Sequence, residues 1–122
     1  MAHEIEPLSG RIIEAAIEVH KALGPGFLES VYEKALGVAL NHRDIRWTSQ
    51  REIVITFEGE EVGLHRPDLI VEEQIIVELK AVKALEDIHY AQLKSYLKAT
   101  GPRVGLLLNF NSPTLVIKRV VL

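Results

Sequence analysis

The sequence predicts a mixed β-sheet flanked by helices, an α/β chain with the α+β character of strands joined by hairpins. Three observations carry this prediction. Hydrophobic periodicity runs helix, helix, three strands, helix, strand, strand along the chain. Residues 66–80, RPDLIVEEQIIVELK, have the pattern of two strands folded back at Glu72, Glu73 and Gln74. Residues 104–110, VGLLLNF, are a continuous apolar run, as expected of a strand covered on both faces.

The first helix is predicted over residues 9–23. Ser9 is a good N-cap residue, Leu8 can staple onto Ile13, and Ile12, Ile13, Ala16, Val19 and Leu23 share one face. His20 falls beside that face, where a histidine is more often packed than liganding. Gly24-Pro25-Gly26 stops the helix and turns the chain. A second helix is expected over residues 27–42, with Leu28, Val31, Ala35, Val38 and Ala39 marking its inner face. Tyr32, Leu36 and Leu40 widen that face and Glu29 lies on its flank, while Glu33 and Lys34 fall toward solvent. Alone, Glu29 reads as a first-turn acid favoured by the helix dipole.

Residues 41–49 read as a polar connection. Strands are expected over 51–57, 62–71 and 75–82, with Pro67 loosening the pairing at an edge or a bulge. The third helix, 85–99, has an unusual inward stripe. With Leu85 at the origin, His89, Gln92, Tyr96 and Ala99 all fall within about 40° on a helical wheel. Polar groups that face the body of a protein need partners. Gly101-Pro102 ends the helix, and Leu115, Ile117 and Val120 mark a final strand after residues 104–110.

The chain has 122 residues, 48% hydrophobic and 25% charged, which suits one globular domain spanning 1–122 with a real core. It has no cysteine, so neither a disulfide framework nor a thiolate metal site is available. Its apolar runs are too short to span a membrane, and its first ten residues lack the basic and apolar regions of a signal peptide. The expected setting is cytoplasmic. A net charge of −3 argues against strong nonspecific binding to nucleic acid, though not against an enzyme that touches it through a local patch.

The hairpin at 66–80 carries the chemistry. Folded at its turn, it sets Asp68 opposite Glu78, and strand alternation turns Glu78 and Lys80 to the same face. Two carboxylates and an ammonium thus converge among apolar neighbours. Charges in such surroundings pair, bind metal or neutralise. The plainer alternative is an ion pair of Lys80 with Glu78 or Asp68 on a solvated sheet.

Pro67-Asp68, the hairpin and Glu78-Leu79-Lys80 match the D…(D/E)xK pattern, and the chain resembles the PD-(D/E)xK nuclease superfamily. Gly26, Glu29 and Tyr32 match the small GxxExxY family within it, and Gln92 and Tyr96 are similar to a Gln-x-x-x-Tyr element of several of its nucleases. The resemblance runs over residues 12–120. It implies a restriction-endonuclease-like core and metal-dependent phosphodiester hydrolysis of nucleic acid, DNA rather than RNA. It implies magnesium or manganese, hard cations suited to oxygen ligands. By resemblance, Asp68 and Glu78 hold the metal, with the Leu79 carbonyl as a further ligand and Glu29 adding a carboxylate directly or through water. Lys80 then orients or helps deprotonate the attacking water, or stabilises the transition state. Gln92 and Tyr96 position phosphate or the lysine, with His89 and His20 as further candidates for substrate contact. Basic candidates for backbone contact are Lys83, Lys94, Lys98, Arg103, Lys118 and Arg119. The chain barely exceeds the superfamily core, so recognition is expected from a partner, a homodimer groove or the nucleic acid's own structure. The alternatives are a catalytically inactive nuclease-fold module that binds nucleic acid or a protein, and a structural ion-pair hairpin.

Overall fold

The structure is a computed structural model that describes residues 2–122, with side chains from Glu6 onward. The elements are α1 (Ala2–Leu23), α2 (Glu29–Asn41), β1 (Trp47–Ser49), β2 (Ile53–Phe57), β3 (Glu60–His65), β4 (Leu69–Val71), β5 (Ile75–Lys80), α3 (Asp87–Ala99), β6 (Val104–Asn109) and β7 (Val116–Val121). Five strands form a sheet in the order β1-β4-β5-β6-β7, and β2 pairs with β3 as a separate two-stranded sheet. Within the five, β5 and β6 run parallel and every other pair is antiparallel. Parallel neighbours need a crossover, which α3 supplies. This is the mixed sheet with flanking helices that the periodicity predicts.

Alternation along the strands builds two cores. Leu69, Val71, Val77 and Leu79 face α1 and α2, where they meet Ile12, Ala16, Leu36 and Leu40. Ile70, Ile76, Leu107 and Val120 face α3, beneath Leu93 and Leu97. All of β6 is buried, so its apolar run is indeed covered on both sides. Among the described residues no helix is long and apolar enough to cross a membrane.

Several local expectations are corrected. The first helix begins well before residue 9 and runs through Pro7. Ser9 is therefore inside the helix rather than its cap, buried, with its hydroxyl donating to the Glu6 carbonyl at 3.1 Å. The inner face of α2 is built on Tyr32, Leu36 and Leu40, whereas Leu28, Val31 and Val38 are exposed. Residues i, i+4 and i+8 stack along a helix, and Tyr32, with its ring stacked on Phe110 at 4.5 Å, sets that axis. Gly37 also belongs to the inner side, because a Cβ there would lie 2.6 Å from the Trp47 ring.

Residues 41–49 are not wholly a connection, since Trp47–Ser49 pairs with β4 as the sheet's edge strand. The single strand expected over 62–71 is broken at Pro67, which lacks the N–H a ladder requires. β3 stops at His65, and the β2–β3 hairpin leaves the main sheet. The axis of α3 is also turned from the predicted one. Leu93 and Leu97 are fully buried, while Gln92 is exposed and His89 and Tyr96 lie on the flank. Burying each leucine is worth about 1.5–3 kcal/mol, which outweighs a polar stripe. Gly105 on β6 makes room, as a Cβ there would lie 2.8 Å from Leu93.

Candidate active site

The turn at residues 72–74 works because Glu72 and Glu73 both take left-handed backbone, φ 52° and 57°. It sets the register Leu69↔Val77 and Ile70↔Ile76. One step further Asp68 stands opposite Glu78, as the alternation predicts. The two are locked reciprocally: the Leu79 N–H donates to Asp68 Oδ2 at 2.9 Å, and the Asp68 N–H donates to Glu78 Oε2 at 3.1 Å. Each carboxylate spends one oxygen on the other strand's backbone. The remaining oxygens, Asp68 Oδ1 and Glu78 Oε1, meet only side chains, Gln50 at 3.3 Å and His65 at 3.2 Å.

Lys80 lies two residues beyond Glu78 on β5, half-buried on the same face. None of the ion pairs among the described residues uses it, so the plain pairing with Asp68 or Glu78 does not form. Its charge is felt through space: it opposes, without outweighing, the burial that raises the Glu78 carboxyl, and it adds to the burial that lowers the His65 imidazole. Buried Asn109, opposite Lys80 in the parallel ladder, holds the next segment by accepting from the Val82 N–H and donating to the Val82 carbonyl.

The electrostatics are those of crowded, partly desolvated acids. Burial, then the neighbouring Glu78, raises the Asp68 carboxyl to about 7. Burial also raises Glu78 and Glu33, the latter helped by Asp68. Like charges this close favour retention of a proton or capture of a cation.

Glu33, expected toward solvent, is the acid of α2 that approaches Asp68. Glu29, one turn earlier, is exposed and accepts from the Ala81 N–H at 3.2 Å, at the exit of β5. Gln50 and His65 are further site neighbours that the motifs do not contain. His65 stacks on Tyr96 with 12° between the ring planes, and burial lowers its pKa. Tyr96 therefore reaches the cluster, its hydroxyl pushed up by burial and then by Glu78 and Asp68. Gln92, one turn before Tyr96 on α3, is exposed. His89 is used in the cap of α3, its Nδ1 accepting from the Glu86 N–H at 3.0 Å. His20 is buried on the opposite side of the sheet, its Nε2 2.9 Å from the Ser112 carbonyl and its ring beside Phe110. Neither histidine joins the carboxylates. Of the basic candidates, Arg119 is paired with Glu6.

The donor set suits a hard divalent cation. Among the described residues no group of three or more His, Cys, Asp or Glu side chains forms a ready-made metal cluster. Magnesium does not require one, since it is usually held by one or two carboxylates, with waters and substrate phosphates completing the shell. The raised Asp68 carboxyl and the two carboxylate oxygens that have only side-chain partners fit that pattern.

A carboxylate pair locked across a hairpin, with a lysine two residues on, is the layout of a D…ExK nuclease core. The family model of the PD-(D/E)XK nuclease superfamily matches residues 6–120, and the chain belongs to that superfamily. The crystal structure of SSO0001 is similar, with a TM-score of 0.58 at 20% identity over 75% of this chain and 48% of that one. The chain thus spans about half the length of that protein, and the likeness establishes the fold alone. No curated protein matches the chain.

Proposed function

We propose that this protein hydrolyses phosphodiester bonds in nucleic acid with a divalent cation, magnesium or manganese, and acts on DNA rather than RNA. The observation that carries the reading is the reciprocal Asp68–Glu78 lock. It leaves one oxygen of each carboxylate without a backbone partner, on the sheet face that also bears Lys80.

Asp68 Oδ1 and Glu78 Oε1 would hold the cation, with the Leu79 carbonyl as a further candidate. When bound, it supplies a positive charge for the phosphoryl oxygens and a water acidic enough to attack at neutral pH. Lys80 presents its ammonium on the same face, where it donates to a non-bridging oxygen or to the attacking water. His65 donates to Glu78 and Tyr96 stacks on His65, so this pair fixes the Glu78 side. Membership of the superfamily supports nucleic acid as the substrate, and DNA is our reading within that class.

Within the superfamily we place the chain among the GxxExxY proteins. Gly26 takes φ 113°, which only glycine adopts readily, and Tyr32 closes the turn by donating to the Gly24 carbonyl at 2.6 Å. Glu29 then faces the end of β5. We take residues 1–122 as one domain that pairs with a second copy to build a groove for the duplex.

The test is incubation of purified protein with linear, circular, single-stranded and branched DNA and with RNA of matched sequence, in magnesium, manganese or EDTA. Cation-dependent cutting of DNA is the expected result. Binding of nucleic acid without cutting in any cation would overturn it in favour of a non-catalytic module.

A further inference from the structure

Gln50 has no place in the D…ExK pattern, yet it touches more of the candidate site than any motif residue outside the hairpin. It follows β1 directly and takes left-handed backbone, φ 53°, a conformation that costs a glutamine energy and persists only where surroundings enforce it. Its backbone N–H donates to the Pro67 carbonyl at 3.0 Å and lies 3.3 Å from the Asp68 carbonyl. Its side-chain Nε2 donates to Glu33 Oε1 at 2.9 Å and to Asp68 Oδ1 at 3.3 Å. One residue thus ties the end of β1, the Pro67-Asp68 segment and α2 together.

We infer that Gln50 is a positioning residue that fixes the plane of the Asp68 carboxylate and brings Glu33 beside it as the third acid of the site; this rests on the cation-dependent reading above. The primary amide has two N–H donors and no charge, so it can serve two carboxylates at once. A lysine would neutralise one of them, and a hydroxyl could donate to only one. Asp68 then has a donor on each oxygen, Leu79 N–H on Oδ2 and Gln50 on Oδ1. The terminal torsion of an aspartate is otherwise broad. Without the amide, the Asp68 carboxylate turns about that torsion and Glu33 swings away from its like charge. Partners that orient ligands in this manner change cation affinity about 10–100-fold when removed.

The variants are Gln50→Asn and Gln50→Met. Asparagine tolerates left-handed backbone but is one methylene too short to bridge both acids. Methionine keeps the length and loses the donors. Manganese binding is measured directly by electron paramagnetic resonance and calorimetry, beside thermal unfolding and the manganese dependence of cleavage. Both variants should bind manganese about 10–100-fold more weakly, with cleavage at saturating manganese largely recovered. Glu33→Gln should weaken binding similarly, and the Gln50→Asn/Glu33→Gln double variant should be no worse than the weaker single one. Equal or tighter binding in the Gln50 variants, or additive losses in the double variant, would overturn the inference while the nuclease reading stands. Failure of the wild-type protein to bind manganese, with DNA present as well as without it, would overturn the reading itself and the inference with it.

Discussion

Replacing Asp68 by Asn should make the cation-free protein more stable at alkaline pH. The Asp68 carboxyl is raised from its ordinary 3.8 to about 7 by burial and by Glu78. Its folded-state value lies above its unfolded one, so the folded chain binds the proton more tightly. The stability this contributes is full below the unfolded value and is lost as pH rises to about 7. Between pH 5 and the folded value lie about two pH units, equivalent to about 3 kcal/mol for an isolated site. Partial solvation and sharing of the proton with Glu78 and Glu33 reduce this to about 1–2 kcal/mol. His65 works in the opposite direction. Its lowered pKa makes stability rise with pH through the usual histidine range, so the wild-type curve alone is not diagnostic.

The difference between wild type and Asp68→Asn isolates the carboxylate. An asparagine amide can still accept from the Leu79 N–H and donate to Glu33 or Glu78, so the hairpin lock survives. The assay is urea unfolding in EDTA at pH 5 and pH 8. The variant should gain about 1–2 kcal/mol on wild type between the two pH values. An equal change in both proteins, or a gain by wild type, would refute the view that Asp68 is a strained acid awaiting a cation.

Two further predictions concern the scaffold. Gly105→Ala should cost about 1–3 kcal/mol in urea unfolding, because the new methyl meets Leu93 at 2.8 Å. A neutral result would mean that α3 does not pack as closely on β6 as the structure has it. Tyr96→Ala should lose the stack on His65 and about 1–2 kcal/mol in thermal unfolding, while Tyr96→Phe keeps the ring and stays near wild type. Equal losses in the two variants would place the contribution in the hydroxyl instead.

The hairpin was readable because everything that defines it is local. Alternation, the turn at Glu72–Gln74 and the break at Pro67 together place Asp68 opposite Glu78, and the register agrees. Glu33, Gln50 and His65 were hidden for the opposite reason. They come from α2, the end of β1 and the end of β3, and only the tertiary arrangement gathers them. The weak local signal for Gln50 was its position just before a strand, which many surface glutamines share. The helical wheels misled where amphipathicity is blurred. In α3 the polar stripe and the leucine stripe lie side by side, and the apolar sheet face with Gly105 beneath Leu93 selects the leucines. In α2 the valines at 31 and 38 looked internal, but Tyr32 with Leu36 and Leu40 takes the core side. β1 carried too few residues to show a period at all.

The central claim, that the Asp68–Glu78–Lys80 face performs hydrolysis, is tested most directly by comparing wild type with Lys80→Ala on the DNA substrate cut fastest. Lys80 forms no ion pair among the described residues, so its removal should leave the unfolding midpoint nearly unchanged. Under single-turnover conditions with saturating magnesium, the cleavage rate should fall by about 100-fold or more, with DNA binding retained. A folded Lys80→Ala protein that cuts as fast as wild type would contradict the account and move the chemistry away from this hairpin.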